Sequence, residues 1–154
     1  MKTSSVVFAA LCALPLHALA HQVIGITDGD TIKLLVEQQE VSIRIHGIDA
    51  PERKQPFGTR SRQSLSELCW GKDATYKKTG KSWSRITAHV YCDGVNVGTE
   101  QVRRGMAWAE PRYNRDPALP ELQDRARTER RGLWADKEAV PPWEWRRGKN
   151  KKQQ

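Results

Sequence analysis

Residues 22–46 read QVIGITDGDTIKLLVEQQEVSIRIH, three apolar runs (22–27, 31–36 and 41–46) parted by Asp28-Gly29 and by the polar stretch from Glu37 to Glu40. Val, Ile and Leu around an Asp-Gly step form a hairpin pattern, because glycine accepts backbone angles closed to other residues and aspartate bonds its own main chain. Three such runs in succession predict a three-stranded meander. After the loop Gly47 to Pro56, the segment from Gly58 to Leu68 has no proline or further glycine and places Leu65 and Leu68 at helical spacing. Two more strand-like runs follow, about 72–79 and 84–91, before a turn at Asp93-Gly94. Five strands with a helix after the third is the order of the OB-fold.

The rest of the chain reads as helix. Asn96 can cap a short helix through Arg104, with Gly105 as its left-handed stop and Val102 facing inward. Asp116 and Pro117 signpost a last helix that carries Leu119, Leu122 and Ala126 on one face and ends at Gly132 before Trp134. The prolines of VPPWEWRRGKNKKQQ speak against a regular helix beyond it, while Trp143 and Trp145 are expected to pack on the domain. The expected fold class is therefore α+β, mainly β: a five-stranded OB-fold barrel with three helices.

Residues 1–20 read as a leader. Lys2 gives a positive start, Val6 to Leu16 are apolar but too short to cross a bilayer, and Ala18-Leu19-Ala20 has the small-x-small form of a cleavage site. No other stretch could anchor the chain in a membrane. An exported protein, periplasmic or secreted, is expected, with a mature domain over residues 21–145 and a basic tail over 146–154. The 134 residues left (154 minus 20) suit one domain with one core. Cys12 leaves with the leader, so Cys69 and Cys92 face an oxidising compartment as a disulfide, or else as two separate buried thiols. The formal net charge of +8 favours a polyanion, and its scatter in clusters such as Arg60 with Arg62 and Arg103 with Arg104 suits nucleic acid better than a membrane surface.

The chemistry lies in two acidic turns. Asp28 and Asp30 flank Gly29, and RIHGIDAPE puts Arg44, Asp49 and Glu52 within nine residues at the end of the third strand. Four carboxylates brought together repel one another unless a cation neutralises them, and hard oxygen donors suit calcium or magnesium, not zinc. A plain turn is the simpler reading of Asp28-Gly29 alone. Phosphodiester hydrolysis needs a base for water and positive charge on the phosphate oxygens; Glu52 can serve as the first, Arg44 and Arg85 as the second.

DGDT at 28–31, R-x-x-x-x-D-x-P-E from Arg44 to Glu52, Trp83-Ser84-Arg85, VRRGMAW at 102–108 and RRGLWAD at 130–136 together resemble the staphylococcal nuclease (thermonuclease) family, in order along the whole mature chain. The resemblance implies a calcium-dependent endonuclease that acts on DNA and RNA and leaves 3′-phosphate ends. It implies Asp30, Asp49 and the Ala50 carbonyl as calcium ligands with Asp28 in support, and Arg44, Glu52 and Arg85 as catalytic residues. Trp83 and Tyr113 would be substrate-binding residues, and a monomer is expected. Where many members have threonine this chain has Ala50, and Lys81 to Arg85 replaces the family's usual Asp-Arg/Lys-Tyr-Gly-Arg. A non-catalytic OB module that binds nucleic acid through a basic face is the other reading, though it would have no use for acids that repel phosphate. A sugar-binding barrel fits the charge poorly.

Overall fold

The computed structural model describes residues 19–82 and 84–151; nearly all of the expected leader, and Trp83, lie outside the described residues. The meander is present as β1 (His21–Ile26), β2 (Thr31–Val36) and β3 (Gln39–Ile45). β2 and β3 pair from Thr31 with Arg44 to Val36 with Gln39, around a two-residue turn in which Glu37 and Gln38 take positive φ. A short β4 (Ile48–Asp49) follows, then α1 (Gly58–Cys69), β5 (Asp73–Ser82) and β6 (Arg85–Cys92). β1 pairs antiparallel with β5, β5 antiparallel with β6, and β6 parallel with β3, which returns the sheet to its start. The five long strands therefore close into a barrel, with the OB-fold order expected from the sequence.

Alternation along the strands fills the barrel. Val23, Ile32, Leu34, Ile43, Ile45, Ala88 and Val90 are buried in one cluster, joined by Leu65 and Leu68 from α1. Because side chains alternate along β3, the residue between Ile43 and Ile45 must point outward. That residue is Arg44. Cys69 at the end of α1 is bonded to Cys92 at the end of β6, so the disulfide expectation holds.

After β7 (Val95–Asn96), helix α2 (Val97–Arg103) starts where expected: the Asn96 side chain accepts from the Thr99 N–H at 3.2 Å, and Gly105 beyond it has φ of +68°. β8 (Trp108–Ala109) pairs with β4, and α3 (Ala118–Thr128) buries Leu119 and Ala126. Two expectations are corrected. Gly132 does not end α3, which stops at Thr128; it opens a 3-10 turn over Gly132–Ala135. The prolines do not forbid a helix either: α4 spans Pro142–Lys151, so the described residues form four α-helices where three were expected. Pro142 is the first residue of α4, where a missing N–H costs no helical bond. Trp143 packs on a second cluster of Trp108, Ala126, Leu133 and Trp134, and that contact sets the position of α4.

Candidate active site

The turn between β1 and β2 places the first acids. The Thr27 N–H donates to the Thr31 carbonyl at 2.9 Å, and the Asp28 Oδ1 accepts from the Asp30 N–H at 3.1 Å, so Asp28 closes the turn with its own side chain. Gly29 serves this turn by its lack of bulk. A Cβ on it would lie 1.8 Å from the Ser61 hydroxyl and 2.8 Å from the Ala50 Cβ, inside the packing between the turn and α1. The buried Gln101 of α2 holds the same turn, donating from Nε2 to the carbonyls of Gly29 (2.8 Å) and Ser61 (3.1 Å).

β3 then delivers Arg44 to the acids. Since Thr31 is the pairing partner of Arg44, the residue before Thr31 lies within reach of the guanidinium. Arg44 Nη1 donates to the Asp30 Oδ1 at 2.8 Å, and Nη2 donates to the Asp49 Oδ1, also at 2.8 Å. Pairing of β4 with β8 sets Asp49 opposite Trp108, and the Ala50 N–H donates to the Asp30 Oδ2 at 2.8 Å. Asp30, Asp49 and Ala50 are thus neighbours, with Asp30 2% and Asp49 1% exposed beneath the surface.

Above them lies a cleft of about 730 Å³ lined by Asp28, Arg44, Glu52, Lys81, Arg85, Glu110, Arg112, Tyr113 and Arg146 among others. Arg85 opens β6 two residues before Thr87, the partner of Arg44 across the parallel pair, so both arginines face the same side of the sheet. The cleft wall also carries Tyr113, which is exposed and has the Arg112 guanidinium 5.6 Å from its ring centroid. Cationic groups outnumber Asp28, Glu52 and Glu110 on this wall. A polyanion would meet a net positive lining there.

Electrostatically the floor is under tension. Burial pushes the Asp30 carboxyl up to about 7; Arg44 opposes the rise, the Asp28 charge adds to it, the Ala50 N–H opposes it and Asp49 adds again. Burial works against the Arg44 charge, yet Asp30 and Asp49 more than offset it and hold that guanidinium above its ordinary value.

Among the described residues no group of three or more His, Cys, Asp or Glu side chains stands close enough together to hold a metal. The Asp28 Oδ1 is engaged in its own turn, and Asp30, Asp49 and Glu52 meet through arginines. The charge that their repulsion demands is supplied by two guanidiniums. Arg44 is one, and Arg146 of α4 is the other: its Nη2 donates to the Asp49 Oδ2 at 2.6 Å and its Nη1 to the Glu52 Oε1 at 2.8 Å and the Asp49 Oδ1 at 3.3 Å.

Sequence reasoning placed Asp28, Asp30, Arg44, Asp49, Ala50, Glu52, Arg85 and Tyr113 as candidates, and all of them stand at this cleft or directly under it. Trp83 lies outside the described residues. Three contributors were missed: Arg146, assigned to a basic tail; Gln101, on the inner face of α2; and Gln55. Gln55 is 6% exposed, accepts from the Glu52 N–H at 3.1 Å and donates to the Val140 carbonyl at 2.6 Å, joining the Glu52 loop to the approach of α4. A polar residue with no helix or cap to serve, in a loop beside candidate acids, was the only signal for it.

Residues 42–136 match the family model for staphylococcal nuclease homologues. A protein of Escherichia coli described as an uncharacterized endonuclease is 44% identical over 130 residues, covering 83% of this chain and 85% of that protein. A protein of Haemophilus influenzae with the same description is 36% identical over 143 residues, 92% of this chain and 80% of its own length. A micrococcal nuclease of Shigella flexneri is 38% identical over 138 residues, 82% and 79% of the two chains.

Proposed function

Since the chain belongs to the staphylococcal nuclease family, we propose that it works as an exported, calcium-dependent endonuclease that hydrolyses DNA and RNA with little sequence specificity and leaves 3′-phosphate ends. The three relatives described above carry the name endonuclease or nuclease; the ion, the product ends and the export are the finer reading. One observation carries it. A single guanidinium, Arg44, bridges two buried aspartates at the floor of a cationic cleft that also presents Glu52 and Arg85.

The donor set fits a hard divalent cation. Asp30 and Asp49 offer carboxylate oxygens, and the raised Asp30 carboxyl reflects above all its burial beneath the cleft. Soft donors do not compete, because Cys69 and Cys92 are tied together. Asp30, Asp49 and the Ala50 carbonyl would hold the ion, with Asp28 in support and water completing its sphere, and it would supply positive charge beside the scissile phosphate.

The remaining work falls to the side chains. Glu52 takes a proton from water as the water oxygen bonds to phosphorus. Arg44 and Arg85 face the phosphate from one side of the sheet and stabilise the charge that grows on its non-bridging oxygens. The bond from phosphorus to the 5′ oxygen breaks, that oxygen takes a proton from solvent water and leaves as a hydroxyl, and the phosphate stays on the 3′ side. Plasmid DNA and RNA incubated with the mature protein should be cut in calcium and spared in chelator, and the new ends should resist ligation until a phosphatase removes the 3′-phosphate. Cutting that survives chelator, or that is undiminished in Asp30→Ala, would overturn this reading.

A further inference from the structure

Arg146 stands 97 residues from Asp49 in the chain and past residue 136, where the family match ends, yet it holds both oxygens of Asp49 and one of Glu52. We propose that Arg146 is a positioning residue of the acidic pocket, one that holds Asp49 and Glu52 together and gives up its place to the divalent cation when the ion enters. The proposal rests on the calcium reading above.

Electrostatics favour the exchange. Asp49 is 1% exposed, and its carboxylate already accepts from Arg44 through Oδ1 and from Arg146 through both oxygens. A calcium ion sits about 2.3–2.6 Å from its oxygen ligands, so an ion on the Asp49 Oδ2 would lie close to the guanidinium nitrogen 2.6 Å from that oxygen, and the two positive charges would repel. Of the two arginines on Asp49, the outer one is the better placed to yield. Arg44 is fixed on a barrel strand and its side chain is 24% exposed; Arg146 is 41% exposed at the end of a long flexible stem. Swinging the outer one into water costs less.

The surrounding contacts keep Arg146 available after it leaves. Gln55 ties the Glu52 loop to Val140, and the Glu144 and Trp145 N–H groups both donate to the Pro141 carbonyl at 3.0 Å, so α4 starts beside the loop that it serves. The tether keeps the local concentration of the guanidinium high. Without the ion, Arg146 neutralises Asp49 and holds Glu52 in an ion pair; with the ion, that pair opens and the Glu52 carboxylate in the cleft is freed.

The test is calorimetric titration of the nucleic-acid-free mature protein with calcium chloride, comparing wild type with Arg146→Gln, Arg146→Lys and Asp30→Asn. Loss of the competing cation should tighten calcium binding in Arg146→Gln by about tenfold, with Arg146→Lys between it and wild type. Thermal melting supplies a second measure: Arg146→Gln should melt lower than wild type in chelator, and saturating calcium should close that gap. Affinity in Arg146→Gln equal to or weaker than wild type, with Asp30→Asn still abolishing the signal, overturns the exchange and leaves the calcium site standing. No calcium signal in any of the proteins, or one untouched by Asp30→Asn, overturns the calcium reading and the exchange with it.

Discussion

At Arg44 one planar fork meets two carboxylates, each at 2.8 Å, and ties the β1–β2 turn to the β4 segment. Lysine carries the charge without the fork, so it can satisfy Asp30 or Asp49 but not hold both. Arg44→Lys is accordingly expected to keep its fold by circular dichroism while its turnover falls on the order of a hundredfold, the scale seen when one preorganised donor to a transition state is lost. Arg85→Lys should fall likewise for a different reason. Among the described residues Arg85 makes no ion pair, so its guanidinium is open to the phosphate, and substitution there should cost activity with little cost in melting temperature. Turnover unchanged in either variant would show that its arginine stands outside the chemistry.

Among the elements, α2 and the α1–β6 link carry clear energetic signatures. Glu100 on α2 accepts from Arg103 and Arg104 at 2.6–2.7 Å, and those bonds, Arg103 first, hold its carboxyl down at about 2, below the ordinary 4.5. A depressed carboxylate stabilises the fold above its unfolded value and loses that contribution as pH falls through the folded one. Glu100→Gln should therefore be less stable than wild type in urea above pH 4.5, with the difference shrinking between 4.5 and about 2. A difference that does not change with pH would mean that packing, not charge, is at stake. The Cys69–Cys92 bridge closes a loop of 23-residue separation, which constrains the unfolded chain by about 3 kcal/mol in the chain-entropy account. Reduction should lower the urea midpoint accordingly without dissolving the barrel, whose closure depends on strand pairing. Elements also show where local pattern fell short. Two adjacent prolines stopped a helix on paper, yet at the first position of α4 proline is compatible with one, and the satellite cluster of Trp108, Leu133 and Trp134 gives that helix something to pack against.

Taken as a whole the molecule sets a cationic cleft over an acidic floor within a chain of formal charge +8. Phosphate binding at such a rim releases counterions, so affinity for a single-stranded oligonucleotide, measured by anisotropy in chelator, should fall with salt by a slope of about −0.7 per phosphate neutralised. The pair Lys81→Ala and Arg112→Ala should flatten that slope; a slope left unchanged would place the nucleic acid elsewhere. From the sequence by itself the strand order, the inserted helix, the Asn96 cap, the partner cysteines and the acids at Asp28, Asp30 and Asp49 were legible, because each follows from periodicity or from backbone chemistry within a few residues. Tertiary structure alone decided which cation meets those acids. Arg146 reaches Asp49 across 97 residues, Gln101 reaches Gly29 across 72, and Gln55 reaches Val140 across 85. Such contacts depend on how far a side chain reaches once the barrel has closed, and no local pattern of residues encodes that distance.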